Sequence, residues 1–534
     1  MNQMTPPPKI EIIPSSAPFS EAQRSWLNGF FAGLLSTDAP APLSAEQGTA
    51  VLQGQSGDGD DGEAPWHDQT MPISDRMKLA EGRPLRRRMM AAMAQQDCGQ
   101  CGYNCNDYSD AIVSKSEPRL NLCVPGGKET ARMLKMLNEE LEKAPAALPA
   151  EVAPPASAPA ISVERGRSRD NPAPATFISR RLLNKSGSEK ETWHIDFDLS
   201  GSGLDYVVGD SFGIFARNDL GHVDQIIALL GASHTTQIRG KTLREVLQSE
   251  VSLAPAPDSL FELLSFVTGG ARREKARALA QGEDPDGDAT TLDVMAALQK
   301  FSGVRPHPEA FVEALEPLQP RLYSISSSHN ATPGKLSLTV DCVRYVVGKR
   351  RRLGLASTFL AERINPGDEV KVYVQKAHGF ALPPDPKTPI IMIGPGTGIA
   401  PFRAFLHDRR ATGALGKNWL FFGHQRSDCD FFYADELNAM KTSGLLTRMS
   451  LAWSRDGDKK FYVQDRMREV GRELWTWLAE GANVYICGDA KRMAKDVERA
   501  LVDIVAQFGA RSTDEAILFV ADLKKKGRFQ QDVY

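Results

Sequence analysis

Three patterns of apolar and polar positions divide the chain and predict its main elements. Residues 176–215 alternate apolar and polar positions through WHIDFDL and YVVGDSFGIF, which indicates antiparallel strands. Residues from about 223 to 315 repeat apolar positions at helical spacing, as in HVDQIIALL and AFVEAL, until strand alternation returns with LYSISS. The final third alternates apolar strands (NWLFFG, RMSLAW, NVYICG) with helices, which is typical of a doubly wound parallel sheet. We therefore predict antiparallel strands with a helical insertion, followed by an α/β domain.

The amino-terminal third divides into shorter segments. Phe19 to Leu35 has an apolar face at Trp26, Phe30 and Leu34, which predicts a packing helix after a proline-rich start. Gly and Asp are frequent from residue 36 to 65, and Pro and Ala from 142 to 175, so both stretches are interpreted as linkers. The predicted boundaries are 1–70 for helix and linker, 71–140 for a four-cysteine module, 141–175 for the Pro/Ala linker, 176–382 for the strand-rich domain with its insertion at about 220–315, and 383–534 for the α/β domain.

Composition narrows the class of protein. A chain of 534 residues with 41% hydrophobic content can bury several cores. The 64 Lys and Arg nearly balance the 67 Asp and Glu, which favours neither nucleic acid nor a membrane surface as a partner. The start has no secretory signal pattern, and no segment reaches the ~20 apolar residues of a membrane span. We expect a cytoplasmic multidomain protein whose partner is a small molecule or another protein.

A glycine-rich turn follows one of the apolar strands of the α/β part. The run from Ile390 to Ile393 suits a buried parallel strand, and Gly394, Gly396 and Gly398 follow it before a helical segment. The N–H groups at such a helix start bind a pyrophosphate well. From this stretch alone, nucleotide binding and a plain tight turn are equally good interpretations.

Four of the seven cysteines are bunched at Cys98, Cys101, Cys105 and Cys123. Their spacing, C-x2-C-x3-C-x17-C, places three thiolates in one short loop, which favours a [4Fe–4S] cluster over structural zinc, although both stay open. The stretch resembles the short iron–sulfur module of electron-transfer proteins, with the pattern CGxCGxxxC…CxPGG, but has one residue fewer before the third cysteine. We predict a metal centre with these four cysteines as ligands.

Two further segments combine cations with hydroxyl groups. Alternation places Arg321 and Tyr323 on one side of a strand, which suits a diphosphate and a flat ring, and leaves Ser324 free to bond a ring nitrogen. A solvent-facing arginine and a core tyrosine explain the same pattern equally well. The second segment runs from Ser454 to Gln464 and collects cations just after a predicted parallel strand, where a 2′-phosphate could be held.

The order and distances of RLYSISSS, GLAST, MIGPGTGIAPFRAF, GKNWLFFG, LAWSRD, FYVQD, ICGDAKRMAKDVE and QDVY carry a resemblance. From about Thr176 to Tyr534 the chain resembles the reductase half of the diflavin, cytochrome P450 reductase-like family, and within it the NADPH-dependent sulfite reductase flavoproteins. The resemblance implies an FAD-binding antiparallel β-barrel with a helical connecting insertion, followed by a doubly wound NADP-binding domain.

The resemblance also implies roles for individual residues. FAD would be bound by Arg321, Leu322, Tyr323, Ser324, Thr339, Tyr345, Gly354, Leu355, Ala356 and Ser357. NADPH would be bound by Gly396, Thr397, Gly398, Ser454, Arg455, Lys460, Tyr462, Gln464 and Asp489. Ser324, Cys487 and Asp532 would surround the hydride path, and Tyr534 would cover the flavin face that nicotinamide must reach.

The departure from the family is also informative. The family's flavin-mononucleotide domain, with its Ser/Thr-rich phosphate loop, is absent, and the cysteine module stands in its place. We therefore expect electrons to flow from NADPH through FAD and a [4Fe–4S] cluster to a protein acceptor, most simply a sulfite reductase hemoprotein. The alternatives are a different acceptor, such as a nitrite reductase or a monooxygenase, and a zinc-stapled docking module that carries no electrons.

Overall fold

A computed structural model describes residues 64–67, 71–96, 103–123, 125–143, 164–377 and 379–534, all within one compact unit. The predicted helix at Phe19 to Leu35, both linkers for most of their length, and the ligand candidates Cys98 and Cys101 lie outside these residues. No helix among the described residues is long and apolar enough to cross a membrane.

The cysteine module is a small helical body with its own core. Its described helices are α1 (Ile73–Leu79), α2 (Leu85–Ala92), α3 (Cys105–Val113) and α4 (Gly127–Lys143). Met89, Tyr108 and Leu134 are almost completely buried, and Cys105 and Cys123 belong to the same apolar cluster. Asn104 caps α3 through a hydrogen bond from the amide of Asp107. Cys105 therefore begins a capped helix, and Cys123 lies in irregular chain shortly before α4.

Six antiparallel strands follow, in the spatial order β6, β3, β10, β1, β2, β7. Their bounds are β1 (Ala173–Leu182), β2 (Thr192–Asp198), β3 (Ser211–Ile214), β6 (Arg321–Ser324), β7 (Lys335–Asp341) and β10 (Glu369–Gln375). Inward-facing residues such as Phe177, Phe197 and Phe212 form one buried cluster. The two edge strands approach each other at an antiparallel bridge between Ile325 and Leu338. The predicted antiparallel sheet is thus present.

A mainly helical segment is inserted between β3 and β6. It contains α5 (Leu220–Leu230), the short pair β4 (Gln237–Ile238) and β5 (Lys241–Thr242), α6 (Leu243–Ser249), α7 (Asp258–Phe266), α8 (Gly270–Ala280), a 3-10 turn (Ala289–Thr291), α9 (Val294–Lys300) and α10 (Pro308–Glu313). Its apolar residues, among them Val223, Leu247 and Phe261, form a separate cluster. After β7 come the hairpin β8 (Arg344–Val347) and β9 (Arg350–Leu353), the short helix α11 (Leu355–Thr358) and a π-helical turn (Phe359–Arg363).

The carboxyl-terminal part is a five-stranded parallel sheet in the order β13, β12, β11, β14, β15. Its strands are β11 (Ile390–Ile393), β12 (Asn418–His424), β13 (Arg448–Trp453), β14 (Asn483–Gly488) and β15 (Phe529–Val533). The connecting helices are α12 (Ile399–Ala411), α13 (Ala434–Thr442), α14 (Val463–Glu469), α15 (Gly471–Ala479), α16 (Met493–Phe508) and α17 (Thr513–Lys525). Every residue of β11 and β14 is buried, as expected for strands covered on both faces. The predicted parallel sheet is confirmed.

Polar contacts fasten the antiparallel sheet to the parallel one. Arg403 of α12 donates to the carbonyl of Ser326 at 2.7 Å and to the carboxylate of Glu436 at 3.0 Å. His407 also bonds Glu436. Burial would raise the pKa of Glu436, but His407 and the charge of Arg403 lower it to about 2. Glu436 therefore stays ionised and holds Arg403 in the position that reaches the other sheet.

The low pKa of Glu436 predicts a pH-dependent contribution to stability. Because the folded pKa lies below its ordinary value of 4.5, the contribution is present above about pH 4.5 and is lost as pH falls toward 2. We expect Glu436→Gln to lower the free energy of unfolding by about 2–3 kcal/mol at neutral pH, and by progressively less below about pH 4.5. Denaturant unfolding at several pH values tests this, with the exposed neighbour Asp435→Asn as control. A difference that stays constant down to pH 3 would contradict the assignment.

Candidate functional site

The glycine-rich turn connects β11 to α12 through a 3-10 turn at Gly396–Gly398. Gly396 has a φ of +59°, which a residue with a Cβ adopts only with strain. A Cβ on Gly398 would overlap the carbonyl oxygen of Cys487, so β14 approaches this turn as closely as backbones can. The turn therefore presents bare backbone at the carboxyl edge of the sheet, and the amides at the start of α12 are available to an anion.

Ser324, Cys487 and Asp532 meet, as the resemblance implies, although they come from both sheets. Cys487 and Asp532 are paired on β14 and β15, and Ser324 ends β6. The Ser324 hydroxyl donates to Asp532 Oδ2 at 2.5 Å, and the Cys487 thiol lies 3.7 Å from the same oxygen. Burial raises the pKa of Asp532, and burial together with that carboxylate raises the pKa of Cys487 well above its ordinary value. The thiol is thus protonated at neutral pH.

Tyr534 lies beside this group, next to the glycine turn. Its main chain is fixed at both ends, because its N–H donates to the carbonyl of Gly488 at 3.0 Å and its carbonyl accepts from Ala490 at 3.1 Å. Its hydroxyl lies 2.6 Å from the hydroxyl of Thr397. The residue remains 54% exposed. The ring can move by rotation of the side chain alone, while both main-chain bonds remain.

Arg321 on β6 is partly buried. Among the described residues its guanidinium donates to the carbonyls of Gln319 and Pro320, at 3.5 and 3.4 Å, and burial lowers its pKa. Within the described part of the chain no carboxylate forms an ion pair with it. Such a cation is suited to a diphosphate. Leu322 and Tyr323, on the same strand, are also partly buried.

The other residues expected around FAD lie near the β8–β9 hairpin or on β7. Gly354 precedes α11, and Ser357 accepts a bond from the amide of Val343 at 3.1 Å. Leu355 is half-buried and Ala356 is buried on the same short helix. Tyr345 is 55% exposed on β8. Thr339 is buried on β7, where its hydroxyl lies 2.7 Å from that of Tyr433, so this group already has a protein partner.

The predicted 2′-phosphate seat, which is the binding segment from Ser454 to Gln464, follows β13. Ser454 donates its N–H to the carbonyl of His424 at 2.9 Å, which ties the seat to the end of β12. Arg455 pairs with Glu189 at 2.6 Å, and both side chains are more than 40% exposed. Lys460 is exposed, Tyr462 is 43% exposed and Gln464 is half-buried at the start of α14. The cation and hydroxyl groups are thus open to solvent, and an exposed ion pair is readily exchanged for a phosphate.

Asp489 serves the protein's own backbone in this structure. Its Oδ1 accepts from the amides of Arg492 at 2.7 Å and Met493 at 3.1 Å, at the start of α16. This arrangement is that of a helix cap, and it accounts for the residue without a ligand. A contact from its second oxygen to a nucleotide stays a prediction.

Two of the four predicted metal ligands are described. Cys105 is the first residue of α3, and Cys123 precedes the turn into α4. Burial raises the pKa of the Cys123 thiol, and the backbone amides of Ala94 and Gly126 oppose that rise; a Cβ on Gly126 would stand 3.0 Å from the sulfur. Amides directed at a sulfur stabilise a thiolate ligand. The described residues contain no group of three metal-ligating side chains, but Cys98 and Cys101 lie outside them.

A cavity of about 820 Å³, which no local sequence signal indicated, lies where the three parts of the chain meet. Gln95 and Gln96 line it from the cysteine module, just before the loop that begins the cysteine cluster. Ser211 lines it from β3, and Asp532 from β15. Ser211 is the strand partner of Ser324. The cavity is therefore lined both by Asp532, the partner of the Ser324 hydroxyl, and by Gln95 and Gln96, which precede Cys98 in the sequence.

Comparison with known proteins agrees with this geometry. A family profile described as FAD binding domain matches residues 165–359, and one described as oxidoreductase NAD-binding domain matches residues 392–499. The first covers the antiparallel sheet up to α11, with the insertion, and the second covers most of the parallel sheet. The two sheets thus have the domain types of flavin- and nicotinamide-nucleotide-dependent oxidoreductases.

Individual relatives have a more specific name than the two domain profiles. The chain is 42% identical over 367 residues to a sulfite reductase (NADPH) flavoprotein alpha-component of Photorhabdus laumondii, which covers 68% of this chain and 61% of that protein. Proteins of the same name from Klebsiella pneumoniae (41% over 402 residues) and Escherichia coli O9:H4 (42% over 399 residues) cover 73% and 71% of this chain. This chain spans 65% of the length of each of these two.

Nucleotide selectivity tests the seat after β13. Loss of a charge-assisted bond costs about 1.5–3 kcal/mol, so Arg455→Ala should reduce the preference for NADPH over NADH roughly ten- to a hundredfold. The variant Glu189→Gln, which removes the carboxylate that occupies Arg455, should tighten NADPH binding instead. Arg468→Ala, which removes an exposed arginine bonded to Asp503 on a neighbouring helix, is the control. Unchanged selectivity in Arg455→Ala, measured as the ratio of kcat/KM values, would refute the assignment.

The side chain of Tyr534 is expected to shield the flavin from solvent and from nicotinamide. Tyr534→Ala keeps both main-chain bonds of this residue, so its effects report on the ring alone. We expect a changed flavin absorption spectrum and a higher kcat/KM for NADH, because an aromatic ring no longer competes with nicotinamide for the flavin face. An unaltered spectrum with unaltered NADH turnover would show that the ring does not stack there.

Proposed function

We propose that the protein is an NADPH-dependent flavoprotein reductase that passes electrons from NADPH through FAD and a [4Fe–4S] cluster to a protein acceptor, namely a sulfite reductase hemoprotein. The observation that carries this proposal is that one cavity is lined both by Asp532, which accepts a hydrogen bond from Ser324, and by Gln95 and Gln96 of the cysteine module. It supports a path from the site of hydride transfer to the cysteine loop. We further propose a cytoplasmic location and closure of the six-stranded sheet into a barrel, supported by the Ile325–Leu338 bridge.

The residues present fit FAD and NADPH. Arg321 offers a cation without a counter-ion in the described chain, the Gly396–Gly398 turn offers free backbone, and Arg455 offers a guanidinium whose exposed pair with Glu189 can be exchanged. When bound, FAD accepts a hydride from nicotinamide and can release its electrons one at a time. Ser324 would orient the flavin edge, and Asp532 holds the Ser324 hydroxyl in place. The protonated Cys487 keeps a second negative charge out of the same small volume.

The described cysteines fit a thiolate-ligated cluster. Cys105 and Cys123 lie in one buried apolar core, as expected for a centre shielded from water, and the backbone of Gly126 lies close to the Cys123 sulfur. Structural zinc would use the same ligands, and then the module would serve only to bind a partner. Iron and acid-labile sulfide in anaerobically purified protein support the cluster, whereas stoichiometric zinc would support the docking alternative.

The contacts that hold the cysteine module against the helical insertion are polar. Arg132 of α4 makes two bonds of 3.0 Å to the carboxylate of Asp258, which begins α7. Lys128 lies 3.6 Å from the same carboxylate and bonds the carbonyl of Ala256. Asn121 bonds Glu316 at the other end of the insertion. The apolar clusters of module and insertion share no residue. We infer that charge sets the position in which the module receives electrons.

The proposed acceptor rests on the relatives. Their name assigns them to sulfite reductase as an NADPH flavoprotein component. This chain resembles them over most of its length. Because it spans only 61–65% of their length, the whole activity and the partner remain part of this proposal. A purified sulfite reductase hemoprotein, reduced by this protein and NADPH under anaerobic conditions, is the direct test.

The relay role is tested by Cys101→Ala, because loss of one thiolate should destroy the cluster while sparing the FAD and NADP sites. NADPH should still reduce the flavin at a near-native rate, and acceptors that take electrons directly from FAD should still be reduced. Transfer to the hemoprotein should be lost. Cys429→Ala, at a buried cysteine of the parallel-sheet domain, is the matched control.

Binding must be measured in the same experiment, since a collapsed module would fail to dock. If Cys101→Ala binds the hemoprotein and reduces it at the native rate, the module is no relay. The zinc-docking alternative would then account better for the cysteines.

The ionic contact gives a second test. Arg132→Asp and Asp258→Arg should each slow electron transfer from FAD to the cluster about tenfold or more, and the double variant should restore much of it, because the charges are exchanged. Reduction of FAD by NADPH should be unaffected in all three. Arg88→Glu, which breaks the pair between Arg88 of α2 and Glu140 of α4, controls for changes within the module. Equal transfer rates in all variants and at all salt concentrations would mean that this contact does not position the module.

A further inference from the structure

The strand order of the parallel sheet defines the path of a bound nucleotide. The pyrophosphate turn follows β11, and Ser454–Arg455 follow β13. β12 lies between these two strands, and the carboxyl ends of all three meet at the same edge. A nucleotide that reaches from the 2′-phosphate seat to the turn must therefore cross the end of β12. The last residue of β12 is His424.

The imidazole of His424 points toward that path. Its Nδ1 lies 3.1 Å from Asp430 Oδ2, and its side chain is 11% exposed. Its Cδ2 and Nε2 stand 3.7 and 4.0 Å from the place a Cβ on Gly396 would occupy. The carbonyl of the same residue accepts bonds from both the amide and the hydroxyl of Ser454, at 2.9 and 3.3 Å. One nitrogen thus faces a carboxylate, and the other faces the pyrophosphate turn.

Asp430 fixes the orientation of the ring. This carboxylate is completely buried and accepts from Ser188 at 2.5 Å, from Asn184 at 2.8 Å and from the amide of Arg426 at 3.1 Å. Burial would raise the pKa of Asp430, but these bonds and His424 lower it, so the group is an anion that only accepts. A proton on Nδ1 of His424 is attracted by the Asp430 carboxylate 3.1 Å away, although the angle between them is not that of a hydrogen bond, and Nε2 is left directed at the turn.

We propose that His424 is a binding residue for the phosphates of NADPH, donating from Nε2 to a phosphate oxygen at the glycine turn, with Asp430 as the residue that positions it. The inference rests on the proposed use of NADPH and adds a contact that the sequence motifs do not include. A charge-assisted bond of this kind forms only when the ring is doubly protonated. Nucleotide binding should therefore be accompanied by proton uptake.

The charged groups around the imidazole of His424 are consistent with proton uptake when a nucleotide binds. Burial lowers the pKa of His424, and Asp430 opposes that shift. Asp341 of β7 and Lys190, which pair with each other at 3.4 Å, act on the ring with opposite signs. In the empty protein the ring is therefore neutral near pH 7. The negative charge of a phosphate raises the pKa of a neighbouring histidine, which draws a proton onto Nε2.

Two substitutions separate the nitrogens. His424→Asn retains a donor near the position of Nδ1 and can still bond Asp430, but it has no group at Nε2. His424→Gln places an amide near Nε2. We expect the Asn variant to bind NADP⁺ about ten- to a hundredfold more weakly than the native protein at pH 6, and the Gln variant to lose less. Isothermal titration of the full-length flavoprotein, in two buffers with different ionisation enthalpies, measures both affinity and proton uptake.

The pH dependence of nucleotide binding distinguishes the His424 contact from the titration of the nucleotide itself. The 2′-phosphate itself titrates with a pKa of about 6, which affects native and variant proteins alike. The ratio of the Kd of His424→Asn to that of the native protein removes this effect, and it should fall toward one as pH rises above the pKa of the complex. NAD⁺ should show the same ratio, because the contact is to the pyrophosphate.

Three results are possible. Weaker binding in His424→Asn with loss of proton uptake supports the proposal. Native affinity and native proton uptake in His424→Asn would overturn it, and so would equal losses in the Asn and Gln variants that do not vary with pH, since these indicate a packing role. If the native protein binds neither NADP⁺ nor NAD⁺, the proposed function itself fails, which is a different outcome from failure of the histidine contact.

Discussion

The hydrogen bond between Ser324 and Asp532 joins the last residue of an antiparallel edge strand to the last strand of the parallel sheet, 208 positions away. Both residues are held by strand pairing on their own side, so the bond transmits the position of one sheet to the other. In the proposed reaction a hydride passes between ligands of these two sheets. Proximity and orientation are then the main contributions of the protein, and this contact sets both.

Other contacts across the same junction keep that position fixed. Arg403 reaches Ser326, and Asp430 gathers Asn184 and Ser188 from the antiparallel side. These groups are largely buried, so breaking any one leaves an unpaired charge or polar group. The cysteine module is held differently, by partly exposed charges at Arg132 and Asp258. In the proposed reaction, hydride transfer would take place at the rigid junction, and electrons would leave across the weaker, salt-sensitive one.

The sequence predicts much of this arrangement where the signal is local. The glycine turn, the alternating strands and the helical insertion follow from residue spacing, and the place of Arg321, Ser454 and Arg455 beside strands suggests binding roles that stay predictions. The expected roles of Cys487, Asp532 and Tyr534 come from the resemblance alone, because the spacing of residues along the chain does not indicate them. For Asp489 local geometry gives a sufficient account, since its oxygen caps a helix.

Contacts between distant segments could not be predicted. Asn184 and Asp430 are 246 residues apart, and Arg132 and Asp258 are 126 apart, so nothing in the local pattern of either marks them as partners. His424 ends an apolar strand, where a histidine has no distinctive pattern. Its importance comes from the order of β11, β12 and β13, which is a property of the folded sheet. The cavity beside Gln95 likewise exists only because three parts of the chain meet.

In the proposed electron path, electrons leave FAD through the cysteine module. The most direct measurement is electron paramagnetic resonance of the full-length protein, purified without oxygen and titrated with NADPH, with iron and acid-labile sulfide determined on the same sample. We expect about four irons and four sulfides per chain, and a signal of the reduced cluster that grows after the flavin absorbance has decreased. Stoichiometric zinc, or a cluster that stays oxidised while the flavin is fully reduced, would contradict the proposed path.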